Sequence, residues 1–236
     1  MKIAILLPGQ TRTYNKCYQN FLKHFENYEC DIYSSVWDIQ GKVKKKNYDD
    51  KIGNKYFSDE PTSEIVEDLR MMYNFKSFEI ESYDGWLESN LKHIEKFKEN
   101  HPSVNRSMLT NGIFAQYYKI KKTFDMIKNP NQYDIIVKYR YDIVSDEIDL
   151  VQNNKLNCGK LTDLNFPTDW YFYGNPNVML KACNMYEWLE ELQPYNPREV
   201  SNDRQTTYTP EQILGFFVKN KNIEVNNLDT NPKCVR

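Results

Sequence analysis

The chain lacks most of the features that assign a protein quickly. Only 8 of its 236 residues are glycine, and neither a Gly-x-x-x-x-Gly-Lys loop nor a Gly-x-Gly-x-x-Gly fingerprint occurs. This excludes the usual phosphate cradles of P-loop and dinucleotide-binding proteins. A Gly-x-Ser-x-Gly elbow is missing too, and with it the commonest signature of an α/β hydrolase. The cysteines, at positions 17, 30, 158, 183 and 234, form no Cys-x-x-Cys pair and have no histidine at metal-ligand spacing, so they read as thiols of a reducing compartment. An excess of one charge is also absent. The 31 Lys and Arg against 33 Asp and Glu leave a net charge of -2, which gives no general attraction to nucleic acid or anionic membrane. Long apolar runs are missing: Ile3 to Leu7 is too short for a secretion signal and no later stretch spans a bilayer, so a cytoplasmic location is expected. Without a secretion signal, the sequon at Asn105-Arg106-Ser107 carries no meaning.

Aromatic residues, by contrast, are abundant, with 18 Tyr and 12 Phe. Tyrosine faces suit the stacking of sugar rings, and tyrosines also fill half-buried packing positions. The first apolar run stops at Pro8-Gly9 and reads as a strand buried on both faces of a parallel sheet. A helical stripe of Tyr14, Cys17, Tyr18, Phe21, Leu22 and Phe25 follows. A second strand is expected over Asp31 to Trp37, then a Lys- and Asn-rich surface loop from Gln40 to Asp59 containing Lys42 to Lys46. Pro61 introduces a helix, and Phe78 to Tyr83 is the next strand. Asp84 is placed as the N-cap of a helix carrying Trp86, Leu87, Leu91, Ile94 and Phe97. A long helix over about Met108 to Lys128 carries the core stripe Leu109, Ile113, Tyr117, Ile120, Phe124 and Ile127, with Gly112, Gln116, Lys119 and Thr123 beside it.

The clearest strand, Tyr133 to Tyr139, runs into Arg140-Tyr141-Asp142, so charges appear where an apolar β run ends. In open α/β sheets that end is where ligands bind. After it the pattern changes to a strand at Trp170 to Tyr173, helices at Asn177 to Leu192 and Pro210 to Lys219, a loop over Asn196 to Thr209 and a late strand at Ile223 to Val225. The expectation is one α/β domain with a mostly parallel, Rossmann-like central sheet and helices on both faces. Residues 1–142 would form its donor half and residues 143–236 its acceptor half.

Two segments carry candidate chemistry. In the turn Pro8-Gly9-Gln10-Thr11-Arg12, glycine lets the backbone approach a ligand, the helix N-terminus favours a diphosphate, and Arg12 can pair with phosphate oxygens. A carboxylate at the end of a strand, Asp142, can bind a divalent ion that bridges a diphosphate. Equally, Arg140 and Asp142 stand two apart and can form an ion pair.

These segments, together with Gln116-x-x-Lys119, Asp169-Trp170-Tyr171-Phe172-Tyr173-Gly174 followed by Met179, and Thr209-Pro210-Glu211-Gln212, occur in an order that resembles the GT-A-like glycosyltransferases related to WavE lipopolysaccharide-core proteins. Those proteins belong to bacterial surface-polysaccharide clusters and to large DNA viruses. The resemblance implies a UDP- or GDP-sugar donor, a saccharide acceptor and a Mn²⁺ or Mg²⁺ ion. Gly9, Gln10, Arg12, Gln116 and Lys119 would flank the nucleotide, with Arg140 and Asp142 at the diphosphate and Asp142 on the metal. Arg140 stands where the first Asp of the family's Asp-x-Asp would be. Glu211 and Asp169 are the candidates for acceptor activation, Glu211 ahead because its Pro-Glu-Gln segment matches the resemblance more closely. A nucleotide-sugar binder without turnover, or more distantly a sugar-phosphate nucleotidyltransferase, are the alternatives.

Overall fold

A computed structural model describes residues 1–41, 60–100, 110–146, 148–160, 167–191, 210–230 and 232–235. The lysine run at 42–46, the sequon, Met108, Leu109 and the expected loop at 196–209 lie outside the described residues.

In chain order the elements are β1 (Lys2–Leu6), α1 (Tyr14–Phe25), β2 (Glu29–Trp37), α2 (Val66–Tyr73), β3 (Ser77–Glu81), α3 (Tyr83–Asn100), α4 (Thr110–Asp125) and β4 (Ile135–Lys138). They continue as β5 (Ile143–Val144), β6 (Leu156–Lys160), β7 (Pro167–Gly174), α5 (Pro176–Cys183), α6 (Met185–Glu191), α7 (Pro210–Asn220), β8 (Val225–Leu228) and β9 (Lys233–Cys234). Among the described residues one seven-stranded sheet has the order β3-β2-β1-β4-β7-β6-β8, and β5 pairs separately with β9. Within the large sheet β7 runs antiparallel to both of its neighbours, β4 and β6, and the remaining pairings are parallel. The α/β fold expected from the sequence is therefore the one observed, a mostly parallel central sheet with helices on both faces.

The alternation of β1 builds both layers. Ala4 and Leu6 face a cluster formed with α3 to α7 through Ile94, Phe97, Ile113, Phe114, Ile120 and Met179. Ile3, Ile5 and Leu7 face the opposite cluster, with Tyr14, Phe21 and Phe25 of α1 and Leu69 and Tyr73 of α2. Burial of both faces explains the continuous apolar runs Ile3 to Leu6 in β1 and Ile135 to Val137 in β4.

Some expected boundaries shift for identifiable reasons. Residue 83 starts α3 instead of ending β3, and Asp84 lies inside the first turn. The capping acceptor comes from elsewhere: Asp38 Oδ1 accepts the Tyr83 backbone N–H at 3.0 Å. The single helix expected over Asn177 to Leu192 is two helices, broken at Asn184, whose N–H turns back to the Lys181 carbonyl. The first of them is capped by Asn175, whose side chain accepts the Val178 N–H at 3.0 Å, with Pro176 following at a position that needs no N–H donor. Leu91, placed inward by its spacing, is 43% exposed on α3.

Candidate functional site

The strand order creates a crevice at the centre of the sheet. From β1 the chain moves outward to β2 and β3, then crosses back to lay β4 on the other side of β1. This reversal is a topological switch point, and ligands of open α/β sheets bind outside the carboxyl ends of strands at such a point. The residues following β1 and β4 meet there. Arg12 Nη1 donates to Asp142 Oδ2 at 2.7 Å across 130 residues of sequence.

The turn after β1 is built to place Arg12. Gly9 adopts φ 95°, which L side chains rarely tolerate, and its N–H and C=O bond to β2 at Ser35 and Trp37. Arg12 itself has φ 39°, a left-handed backbone that costs a non-glycine residue free energy. Beside its bond to Asp142, its N–H donates to the Gln40 carbonyl at 2.9 Å and its Nε to Gln10 Oε1 at 2.9 Å. Gln10 is pressed against Gly41, where an added Cβ would lie 2.2 Å from its side chain.

Asp142 is the hub of the rim. Its side chain is 2% exposed, and Arg140 grips it with a fork, Nε to Oδ1 and Nη2 to Oδ2, both at 2.8 Å. The Cys234 thiol donates to Oδ2 at 3.3 Å, and the Asp142 carbonyl accepts the Val235 N–H at 2.7 Å. Burial works to raise the Asp142 carboxyl, but the charges and hydrogen bonds of Arg140, then of Arg12, outweigh it and hold the group well below the usual carboxylate range.

Asp169 reaches the same rim from the other half of the chain. Because β7 is antiparallel to β4 and Phe172 pairs with Lys138, the start of β7 lies beside the end of β4. Asp169 Oδ2 accepts from Gln116 Nε2 at 2.5 Å and lies 3.8 Å from Arg140 Nη1. Its Oδ1 is buried and has no hydrogen-bond partner among the described residues, and the same holds for Thr11 Oγ1 in the turn after β1. Lys138, fully enclosed, donates to the carbonyls of Asp169 and Trp170. Burial lowers its ammonium to about 8, against the opposing pull of Asp169. Glu211 stands at the start of α7. The Tyr117 hydroxyl donates to the Pro210 carbonyl at 2.6 Å, and burial, then the charges of Asp169 and Glu211, raise that phenol well above its ordinary value.

Gln116 and Lys119 part company. Gln116 joins Asp169, whereas Lys119, fully buried, donates to Ser35 Oγ at 2.9 Å, the Val36 carbonyl at 3.1 Å and Glu81 Oε2 at 2.9 Å, with its Nζ 4.1 Å from the Trp37 ring centre. Its ammonium is occupied in joining α4 to the ends of β2 and β3. Burial lowers Lys119, while Glu81, a quarter exposed, stays below its ordinary value because the bonds from Lys119 and Tyr118 outweigh its partial burial. The enclosed partner bears the desolvation cost and the more exposed partner shows the gain.

A divalent ion at Asp142 does not fit this arrangement. Both carboxylate oxygens are bonded to guanidiniums, and among the described residues no group of three His, Cys, Asp or Glu comes together to complete a coordination shell. A concave surface of about 480 Å³ between Glu79, Tyr118, Lys122 and Tyr186 shares no residue with the rim. Its charges are already paired, Lys121 with Asp125 and Glu187, and Lys122 with Glu79 and Glu81.

Sequence reasoning did not single out Lys138, Thr11 or Cys234 as site residues. A lysine inside an otherwise apolar strand is a readable signal, whereas Cys234 lies 92 residues from Asp142 with no local pattern to join them.

No protein-family model and no curated protein matches the chain. Solved structures similar to it include mouse xyloside xylosyltransferase 1, at 5% identity and a TM-score of 0.49 over 97% of this chain and 86% of that one. Another is the glycosyltransferase GlyE of Streptococcus pneumoniae, at 9% identity and 0.44 over 96% and 45%. A third is the galactosyltransferase LgtC in complex with donor and acceptor sugar analogues, at 13% and 0.43 over 92% and 70%. All three are glycosyltransferases by name. Among the described residues no helix is long and apolar enough to cross a membrane.

Proposed function

We propose that the chain is a GT-A-type glycosyltransferase of the WavE-related kind, moving a sugar from a UDP- or GDP-sugar to a hydroxyl of a saccharide or related acceptor in cytoplasmic glycan synthesis. The observation that carries this reading is the meeting of Arg12 after β1 with Arg140 and Asp142 after β4, closed by the 2.7 Å bond at the sheet's switch point. A diphosphate needs fixed positive charge at the carboxyl ends of parallel strands, and guanidiniums supply it in a geometry matched to phosphate oxygens.

In this reading residues 1–142 hold the donor and residues 143–236 supply the acceptor side. Gly9, Gln10 and Arg12 lie against the nucleotide, Arg140 faces the diphosphate, and Gln116 orients Asp169. Lys119 supports the β2 and β3 ends from behind. Of the two candidate bases Asp169 is the stronger. It is buried at the rim with one carboxylate oxygen that accepts no bond from the described residues, as a group that takes an acceptor proton requires. Glu211, at the first turn of α7, then acts on the acceptor or the donor sugar.

The test is to incubate the protein with UDP- and GDP-sugars and a panel of saccharides, following nucleoside diphosphate release and product mass. Acceptor-dependent release is expected. Donor binding with no release under any acceptor would replace the enzyme with a binding protein.

A further inference from the structure

We infer that the donor diphosphate is held by the guanidiniums of Arg140 and Arg12 in place of a divalent cation, and that Asp142 is a positioning residue for those two side chains instead of a metal ligand. The inference rests on the donor-site reading above and specifies the charge chemistry within it.

Three observations carry it. The first is occupancy. Asp142 accepts the Arg140 fork at 2.8 Å on both oxygens and Arg12 at 2.7 Å on Oδ2. A cation coordinated at roughly 2.0–2.6 Å would have to displace donors on Oδ2, and on either oxygen it would face two like charges within contact range. The second is the charge balance. Among the described residues Arg12, Lys138 and Arg140 bring three cations to the rim beside Asp142 and Asp169, in groups already fixed before a ligand arrives. The third is direction. Arg140 spends its Nε and Nη2 on Asp142, so the guanidinium plane is locked, and the remaining nitrogen, Nη1, makes only a long 3.8 Å approach to Asp169. A phosphate oxygen entering between β1 and β4 would meet this nitrogen in a fixed orientation, and a charge-assisted bond to it would need no rearrangement of the fork.

The two sides of the rim fit this division. Arg12 comes from a turn whose left-handed backbone aims it at Asp142, and Arg140 comes from the residues directly after β4. Asp142 lies between them, beyond the carboxyl ends of the paired strands β1 and β4. Its buried negative charge keeps both cations close together when no diphosphate is present. Binding would replace part of that carboxylate's hold on the guanidiniums with phosphate oxygens.

The experiment is isothermal titration of UDP, GDP and inorganic pyrophosphate into the full chain, in EDTA and again with Mn²⁺. Binding of UDP or GDP in EDTA within about threefold of its affinity with Mn²⁺ is expected, equal within the resolution of such a comparison. Arg140→Lys keeps the charge and loses the fork, and should weaken binding on the order of ten- to a hundredfold. Because Arg140→Ala alone would leave a buried carboxylate short of a partner, the double variant Arg140→Ala with Asp142→Ala serves as the control for folding. It should unfold cooperatively and still fail to bind pyrophosphate. Binding that disappears in EDTA and returns with Mn²⁺, with the Mn²⁺-restored binding lost in Asp142→Asn, would overturn the inference and leave the donor site in place. Failure of UDP, GDP and pyrophosphate to bind with or without Mn²⁺ would overturn both.

Discussion

Two carboxylates at one rim, each about 1% exposed, are treated in opposite ways by the regions that supply them. Asp142 follows β4 in the parallel half and is bonded on both oxygens by guanidiniums. Asp169 opens β7, the antiparallel strand, and has one oxygen on Gln116 and the other without a partner among the described residues. Burial alone does not distinguish a functional carboxylate from a structural one, because a buried charge with complete pairing is a fixture of the fold. Incomplete pairing marks the group that still has a bond to make.

The largest effect that would test this contrast is catalytic. Asp169→Asn is nearly isosteric and keeps a partner for Gln116, so UDP or GDP binding should stay within about threefold while sugar transfer falls on the order of a hundred- to ten-thousandfold. Glu211→Gln, measured beside it, should lose less. If Glu211→Gln carries the larger loss with donor binding intact, the base moves to α7 and the contrast between the two aspartates loses its functional half.

The second effect is on stability. Asp142→Ala leaves two guanidiniums facing each other without their shared counter-charge, and truncating one partner of a buried ion pair costs about 3–5 kcal/mol. Urea unfolding should show that loss for Asp142→Ala and a clearly smaller one for Asp169→Ala. Equal losses would mean that the two carboxylates do equivalent structural work.

The difference between the aspartates was only half legible in the chain. Arg140-Tyr141-Asp142 could be found because Ile135, Ile136 and Val137 form an apolar run that charges end abruptly, and α1 because Tyr14, Cys17, Phe21 and Phe25 repeat at helical spacing. Asp169 could be nominated from its aromatic strand, but its partners could not. Gln116 is 53 residues away, and Arg140 comes beside it only because β7 reverses direction against β4. The polar stripe on α4 misled in a related way. Spacing puts Gln116 and Lys119 side by side, yet one helical turn is enough to send Gln116 to β7 and Lys119 to β2 and β3. The strand β6 was not foreseen, since Leu156-Asn157-Cys158-Gly159-Lys160 has neither an apolar run nor a clean alternation.

Acidity sharpens the same comparison. The folded-state carboxyl of Asp142 lies below its unfolded value, so its stabilisation is complete above about pH 4–5 and is lost as pH falls through the acid range toward the folded value. The stability gap between the parent and Asp142→Asn, measured by urea unfolding at a series of pH values from neutral downward, should therefore narrow steadily below about pH 4. A gap that is independent of pH would show that the parent gains from the shape of the side chain and not from its charge.

The smallest effect concerns how Arg12 is delivered to Asp142. Its φ of 39° is costly for any residue with a Cβ, and the cost should be recoverable without the guanidinium. Arg12→Ala and Arg12→Gly both delete the bond to Asp142, the bond to Gln10 and whatever else the side chain makes, so the charge loss cancels between them. What remains is the backbone. Glycine accepts the left-handed conformation freely in the folded chain, at the price of a more flexible unfolded chain, while alanine must either hold the strain or abandon the turn. If the turn keeps its shape, held by the Arg12 N–H on the Gln40 carbonyl and by Gly9 against β2, Arg12→Gly should be the more stable of the two by about 0.5–1 kcal/mol in urea. The reverse order would mean that the left-handed backbone exists only while the guanidinium is anchored on Asp142. In that case the carboxylate would position the turn as well as the cations, and the structural role of Asp142 would extend into β1's connection to α1.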